Sequence, residues 1–287
     1  MAMTGTGTAE DPYIVDTIGD FRTAIAKVCD YVKLDADLDC SDLDYWNGVT
    51  TWAKTIDLCG HTIKNVNINP VENRYFLKPN TDSDNNCTVK NGTIQSLYCT
   101  NLDSIIDYKN YYGTVYLTDL KISGEFVMSK SSTALFYAGY ICFTRCSINV
   151  KINGYLPAFC MHKQYVANYN YCNIRLEAEK CGDDIFCGTP AHSKFTGKLT
   201  YSAYSTTYLF RYGGADNVIA MELISAISSA NFAFSSSNPT GYSILDNELA
   251  SQAHWNGKQE TYVKYLTTAQ MKSAEYLNSI GFPVSEV

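Results

Sequence analysis

YICFTRCSINVKING, from Tyr140 to Gly154, is a run of alternating β-type residues that breaks at Asn153 and Gly154, after which another run begins. The same unit lies on both sides of it. Upstream stand TIDLCGHTIKNVNI (Thr55 to Ile68), CTVKNGTIQSLYC (Cys87 to Cys99) and GTVYLTDLKISG (Gly113 to Gly124). Downstream stand NYCNIRLEAE (Asn170 to Glu179), KFTGKLTYSA (Lys194 to Ala203), NVIAMELISAI (Asn217 to Ile227) and YSILDNELA (Tyr242 to Ala250). Anchored on Ile56, Thr88, Val115, Ile141, Tyr171, Phe195, Val218 and Ser243, the units advance by 32, 27, 26, 30, 24, 23 and 25 residues. Periods of this length mark a solenoid. One strand-rich turn per period, with no helical pattern between strands, predicts an all-β, single-stranded parallel β-helix of eight to nine rungs. It fills a single domain, 1–287, with an N-terminal cap at 1–30, rungs at 31–250 and a C-terminal helical cap at 251–287.

Both ends carry capping signals. In DFRTAIAKVCDY, Asp20 is the expected N-cap of a short helix, with Phe21, Ala24, Ile25 and Val28 on one face. Such a helix covers a solenoid end that would otherwise expose apolar core and unpaired strand edges. Residues 1–8, small and polar, are expected to be flexible. TTAQMKSAEYLNSIGF (Thr267 to Phe282) predicts the closing helix, with Thr268 as N-cap, Met271, Ala274 and Leu277 at helical spacing, and Gly281 as the stop. YVKLDADLDC (Tyr31 to Cys40) reads as the first rung, with Val32, Leu34, Ala36 and Leu38 pointing in and Asp35, Asp37 and Asp39 pointing out. That acidic row fits a cation site or a solvated face, and the solvated face is the reading adopted. Segments 41–54, 70–86 and 228–241 are expected to leave the solenoid as loops, where binding residues gather. Trp46, Trp52, Tyr111 and Tyr112 are the expected exposed aromatics of a binding surface.

Composition narrows the function. A net charge of −7 with no basic run argues against a nucleic-acid partner. The 11 cysteines show no short fixed spacing and no matched knuckles, so they read as reduced core thiols rather than a disulfide framework or a zinc site. That usage belongs to a reducing compartment. The opening MAMTGTGTAEDPY has no positive n-region followed by an apolar h-region, and no stretch approaches a membrane-spanning length. The expectation is a soluble chain made in the cytoplasm, with no cofactor, no bound metal, no nucleic acid and no membrane.

GTGTAEDPYIVDTIGDFRTAI resembles the N-terminal cap of bacterial and phage β-helix proteins, and IDLCGHTIKNVNI resembles the element that follows it there. LTTAQMKSAEYLNSIGF resembles the C-terminal segment of repeat proteins carrying GLUG-type motifs. The class implied is the pectate-lyase-like right-handed parallel β-helix, which includes adhesins, phage tail spikes, virion decorations and polysaccharide-degrading enzymes. Without an export leader, the resemblance implies a protein of the virion: a tail spike, fibre or capsid decoration. Its partners would be other virion proteins and a host-surface glycan, and a side-by-side homotrimer follows by analogy. The alternative is a glycan hydrolase or lyase. CGDDIFCGTPAHSK (Cys181 to Lys194) supplies the weak catalytic candidates Asp183, Asp184 and His192, through a likeness to the Gly-Asp-Asp motif of polygalacturonase-type hydrolases. Adjacent strand residues face opposite ways, so the two aspartates cannot share a site without a partner from another rung. The family's Asn-Thr-Asp and Arg-Ile-Lys segments are absent, and a turn between rungs is the reading adopted. Arg145 and Arg175 read as isolated basic residues.

Overall fold

A computed structural model describes residues 3–80, 86–108, 113–132, 134–161, 167–182, 184–186, 188–201, 206–210, 216–225, 231–234, 243–249, 254–255 and 263–282. The chain is a parallel β-helix whose rungs have three faces. The first face stacks Cys29–Leu34, Ala53–Asp57, the start of Cys87–Leu102, the start of Thr114–Met128, Tyr140–Thr144, Ala167–Asn170 and Gly188–Ala191. The second stacks the later parts of those two long strands with Ser147–Leu156, Asn173–Cys181, Lys194–Tyr201, Val218–Ser225, Ser243–Asp246 and Val263–Leu266. The third is a separate nine-stranded sheet running from Val49–Thr51 to His254–Trp255.

The pleat puts alternate residues inside. Ile122, Ile148, Ile174, Phe195, Ile219 and Leu245 follow one another in register and are all buried. Val115, Ile141 and Ala167 do so on the first face. Where the three faces meet, aromatic rings fill the interior. Phe143 stacks on Tyr169 at 5.2 Å and 3°, and Phe136, Phe159, Phe186 and Phe195 surround the pair at 5.2–6.3 Å between centroids.

One corner has constant form. Between the first and second faces, a single residue with positive φ turns the chain: Asn91 (58°), Asp119 (53°), Arg145 (52°), Tyr171 (55°), His192 (49°) and Asp216 (58°). Asn and Asp tolerate this left-handed region better than other side chains. The N–H of Arg145 donates to the Asn170 carbonyl at 2.9 Å and that of Tyr171 to Ala191 at 3.1 Å, so the ladder continues through the bend. The other two corners vary in length. Met128 to Phe136, Leu156 to Cys160 and Cys181 to Asp184 join the second face to the third, while Ala138 to Tyr140 and Tyr108 to Thr114 return to the first. The two-part rung explains the uneven sequence steps. Val115 and Ile141 lie on the first face, Phe195 and Val218 on the second, and Tyr171, expected in a strand, is a 57% exposed corner residue.

The caps form with revisions. The helix α1 (Ile18–Ile25) is capped by Thr17, whose side chain accepts from the Asp20 N–H at 3.1 Å. Asp20 is thus a first-turn residue, not the cap. Phe21, Ala24 and Ile25 are buried, but the helix ends before Val28, which is exposed. The lead expected to be flexible is tied down: Thr4 and Ile14 exchange backbone bonds, and the N–H groups of Thr6, Gly7 and Thr8 converge on the Asp11 carbonyl. At the other end, one expected helix is two, α2 (Thr268–Met271) and α3 (Ala274–Ser279), because Ser273 starts a second cap. Thr267, not Thr268, caps α2 in a reciprocal box with Gln270. Ala274 is exposed, whereas Met271 and Leu277 close the core.

Segment 41–54 is a loop only in part, over 43–48. It contains the short 3-10 turn Cys40–Asp42 and the first third-face strand, Val49–Thr51. Strand Tyr75–Pro79 lies inside 70–86, and Asn231–Phe234 inside 228–241; residues 81–85, 228–230 and 235–241 are outside the described set.

Candidate functional site

The second face offers the best-formed surface. Its outward residues fall in rows because the register is regular. Glu125, Lys151, Glu177, Lys198 and Glu222 stack in register, one per rung, with alternating charge. Lys151 Nζ lies 3.0 Å from Glu125, and Lys198 Nζ lies 3.0 Å from Glu222. Beside them runs a second row, Ser123, Asn149, Arg175 and Thr196. Arg175 pairs with Glu177. Between the rows lies an open groove of about 590 Å³, bordered by Tyr98 at one end and continued past Lys151 and Glu177 into a smaller hollow of about 160 Å³. Tyr98 is 47% exposed, and Tyr155 at the end of a neighbouring strand is 52% exposed.

The Glu125 carboxylate of the groove is held as an anion. Glu125 accepts from Asn153 at 2.6 Å as well as from Lys151, and these bonds draw its carboxyl below the usual range. At the constant corner the Arg145 guanidinium makes two bonds of 2.6 Å to Asp119, which lowers that carboxyl too. Arg145 and Arg175, expected to be isolated, therefore both have acidic partners. No sequence motif announces these pairs. The signal is a charge at the same offset after each inward hydrophobic run, with its sign reversed from rung to rung, and it emerges only once the register is known.

Two of the predicted catalytic residues fall on different parts of the rung. Asp183 lies outside the described residues. Asp184 begins the third-face strand Asp184–Phe186 and pairs with Tyr208, whereas His192 is a corner residue between the first and second faces. His192 stacks on Tyr171 at 4.8 Å and 8°, and its Nδ1 is 3.7 Å from Asp216.

The predicted aromatics divide. Trp46 is not exposed: it is 1% accessible, its indole N–H donates to the Phe76 carbonyl at 2.8 Å, and its ring stacks on Phe76 at 5.2 Å. The chain at 46 already runs inside the prism, bridged to Ile68, so the indole is a core residue. Trp52 is 38% exposed beside a shallow depression of about 700 Å³ shared with Arg22 and Gly48. Tyr111 and Tyr112 lie outside the described residues. In the acidic row, Asp37 accepts from the Thr62 N–H at 2.8 Å, and Asp39 from the Asn65 amide at 2.8 Å and the Ser41 N–H at 3.1 Å. Both carboxyls lie below the usual range, each with its hydrogen bonds as the main cause. Their donors come mainly from the next rung, so the row ties two rungs together.

No family model and no curated protein matches the chain. Among solved structures, it is similar to one described as a "putative immunoglobulin A1 protease" from Bacteroides ovatus, with 14% sequence identity and a TM-score of 0.46, over 91% of this chain and 86% of that one.

Proposed function

We propose that this chain is a non-catalytic adhesive β-helix protein of a bacteriophage particle, a tail spike, fibre or capsid decoration, that lays its second face on a host-surface glycan. The observation that carries the binding part is the groove between the two polar rows. It presents closely spaced donors and acceptors whose charges cancel, Glu125 with Lys151 and Arg175 with Glu177. A surface of that kind suits an uncharged polyhydroxylated chain, and the half-exposed Tyr98 ring supplies a stacking face. Glycosidic hydrolysis needs a carboxyl kept protonated near neutral pH. Glu125 is pulled the other way.

Placement in a phage particle is supported by the thiols. None of the ten described cysteines is in a disulfide, and eight of them are buried. A chain that folds around reduced thiols in a reducing compartment and then displays a long outer surface fits assembly inside a cell and release by lysis. Contacts with other virion proteins and a side-by-side homotrimer belong to the same proposal.

The test pairs binding with turnover. Purified protein is presented to bacterial surface polysaccharides, with a Lys151→Ala/Arg175→Ala variant alongside, and the supernatant is assayed for reducing ends and unsaturated sugars. The expected result is retention of at least one neutral polymer, weakened tenfold or more in the variant, with no product. Product from any polymer overturns the non-catalytic reading, and retention of none overturns the adhesive one. Mass spectrometry of clean particles checks the location, and a consistent absence there removes the phage assignment.

A further inference from the structure

One residue beyond the corner positions Arg145, Tyr171, His192 and Asp216 lie the buried small polar side chains Cys146, Cys172, Ser193 and Asn217, and Ser243 extends the column on the next rung. Its later part is closed by hydrogen bonds. The Cys172 N–H donates to Ser193 Oγ at 3.0 Å, the Ser193 N–H to Asn217 Oδ1 at 3.0 Å, and Asn217 Nδ2 to the Pro190 carbonyl at 3.0 Å and to Ser243 Oγ at 3.1 Å. Its earlier part ends in two thiols on successive rungs. Their neighbours Ser147 and Asn173 are paired in register, and the Asn173 N–H donates to the Cys146 carbonyl at 2.8 Å. Adjacent strands run about 4.8 Å apart, inside the Cα separation of about 4.4–6.8 Å that a disulfide spans. Among the described residues no other cysteine has a cysteine as its register neighbour: Cys87 faces Val115, Cys99 faces Phe126, Cys142 lies between Tyr116 and Asn168, and Cys181 between Leu156 and Tyr201.

We propose that Cys146 and Cys172 form an oxidisable dithiol site, closed to an inter-rung disulfide when the folded protein meets a low-molecular-weight disulfide. Cys146 Sγ donates to the Leu117 carbonyl at 3.2 Å and Cys172 Sγ to the Asn170 carbonyl at 3.4 Å. Interaction between the two thiols pushes Cys146 up and draws Cys172 down, and Cys172 is the attacking thiol of the proposed exchange. Its thiolate attacks one sulfur of the small disulfide and expels one small thiol. Cys146 then gives up its proton and attacks Cys172 Sγ, expelling the second. The protein loses two hydrogens, and the oxidant becomes two thiols. Both cysteines are buried, so exchange takes minutes to hours. The bond clips two rungs together from inside, in a protein that the preceding proposal carries from a reducing cell to an oxidising exterior.

Folded, reduced protein is incubated with glutathione disulfide, alkylated, and digested with trypsin. The expected product is CSINVK (Cys146 to Lys151) joined to QYVANYNYCNIR (Gln164 to Arg175). The oxidised protein unfolds about 5 °C higher than the reduced one. Cys142→Ser retains the linked peptide, whereas Cys146→Ser and Cys172→Ser lose both it and the shift. Recovery of the two peptides only as separately alkylated thiols, or linkage of either to another cysteine, overturns the proposal. The wild-type and Cys142→Ser maps decide this even if a variant of the pair fails to fold.

Discussion

Trp46 packs between Phe21 and Phe76 under the N-terminal helix, with Arg22 lying 5.4 Å over its ring. Trp46→Ala is expected to lower stability by about 3–5 kcal/mol in urea unfolding. Trp46→Phe restores most of the packing but leaves the Phe76 carbonyl without its donor, so its loss falls between wild type and alanine. Sequence reasoning placed this residue in a loop because polar neighbours surround it, and only the bridge to Ile68 draws it inward. Asp57 makes the complementary case. Burial would raise its carboxyl, but bonds from the Cys59 N–H, the Tyr31 hydroxyl and the Asn91 amide, with Lys90 at 3.5 Å, outweigh that and hold it below the usual range. A depressed carboxyl contributes stability that is present above its unfolded pKa of about 4 and is lost as pH falls through the folded value. Asp57→Asn should therefore be less stable at pH 7 and lose less between pH 7 and pH 3. Urea midpoints at the two pH values check this, and an unchanged acid dependence would refute the role.

At the scale of elements, rung geometry rests on a few backbone positions. Gly197 has φ +114°, and a Cβ there would lie 2.1 Å from the Leu176 carbonyl oxygen on the rung before. Gly154 has nearly the same φ, +107°, but nothing within 4 Å. Both alanine variants strain the backbone, and only Gly197→Ala also drives two rungs apart. Its loss is expected to exceed that of Gly154→Ala by about 2 kcal/mol; equal denaturation midpoints would show that spacing between rungs is not the constraint. The repeats and both caps were legible in the sequence because alternation and capping residues are local signals. The three faces were not, because a one-residue corner interrupts the alternation without a Gly or Pro to mark it: Arg145 and Tyr171 are unusual residues for a left-handed turn. The groove stayed hidden for the same reason, since its rows are defined by stacking across rungs.

For the whole molecule, each rung is stabilised by its neighbours, and the ends decide solubility. Val218, Ile244 and Leu266 form one cluster with Met271, Leu277 and Phe282 of the C-terminal cap. A chain ending at Leu266 exposes that cluster, together with the last strand edge, and is expected to form multimers in light scattering at concentrations where the full chain does not. An unchanged particle size would mean the cap is dispensable. The constant corner has a longer-range consequence. Because a single residue sets the bend on every rung from Asn91 to Asp216, the vertical alignment is settled along one edge of the prism, and the other two edges are released from that duty. Segments can be lengthened, shortened or exchanged there without shifting the rows above and below. Such a scaffold can take insertions at two edges while its folding instructions stay confined to the third.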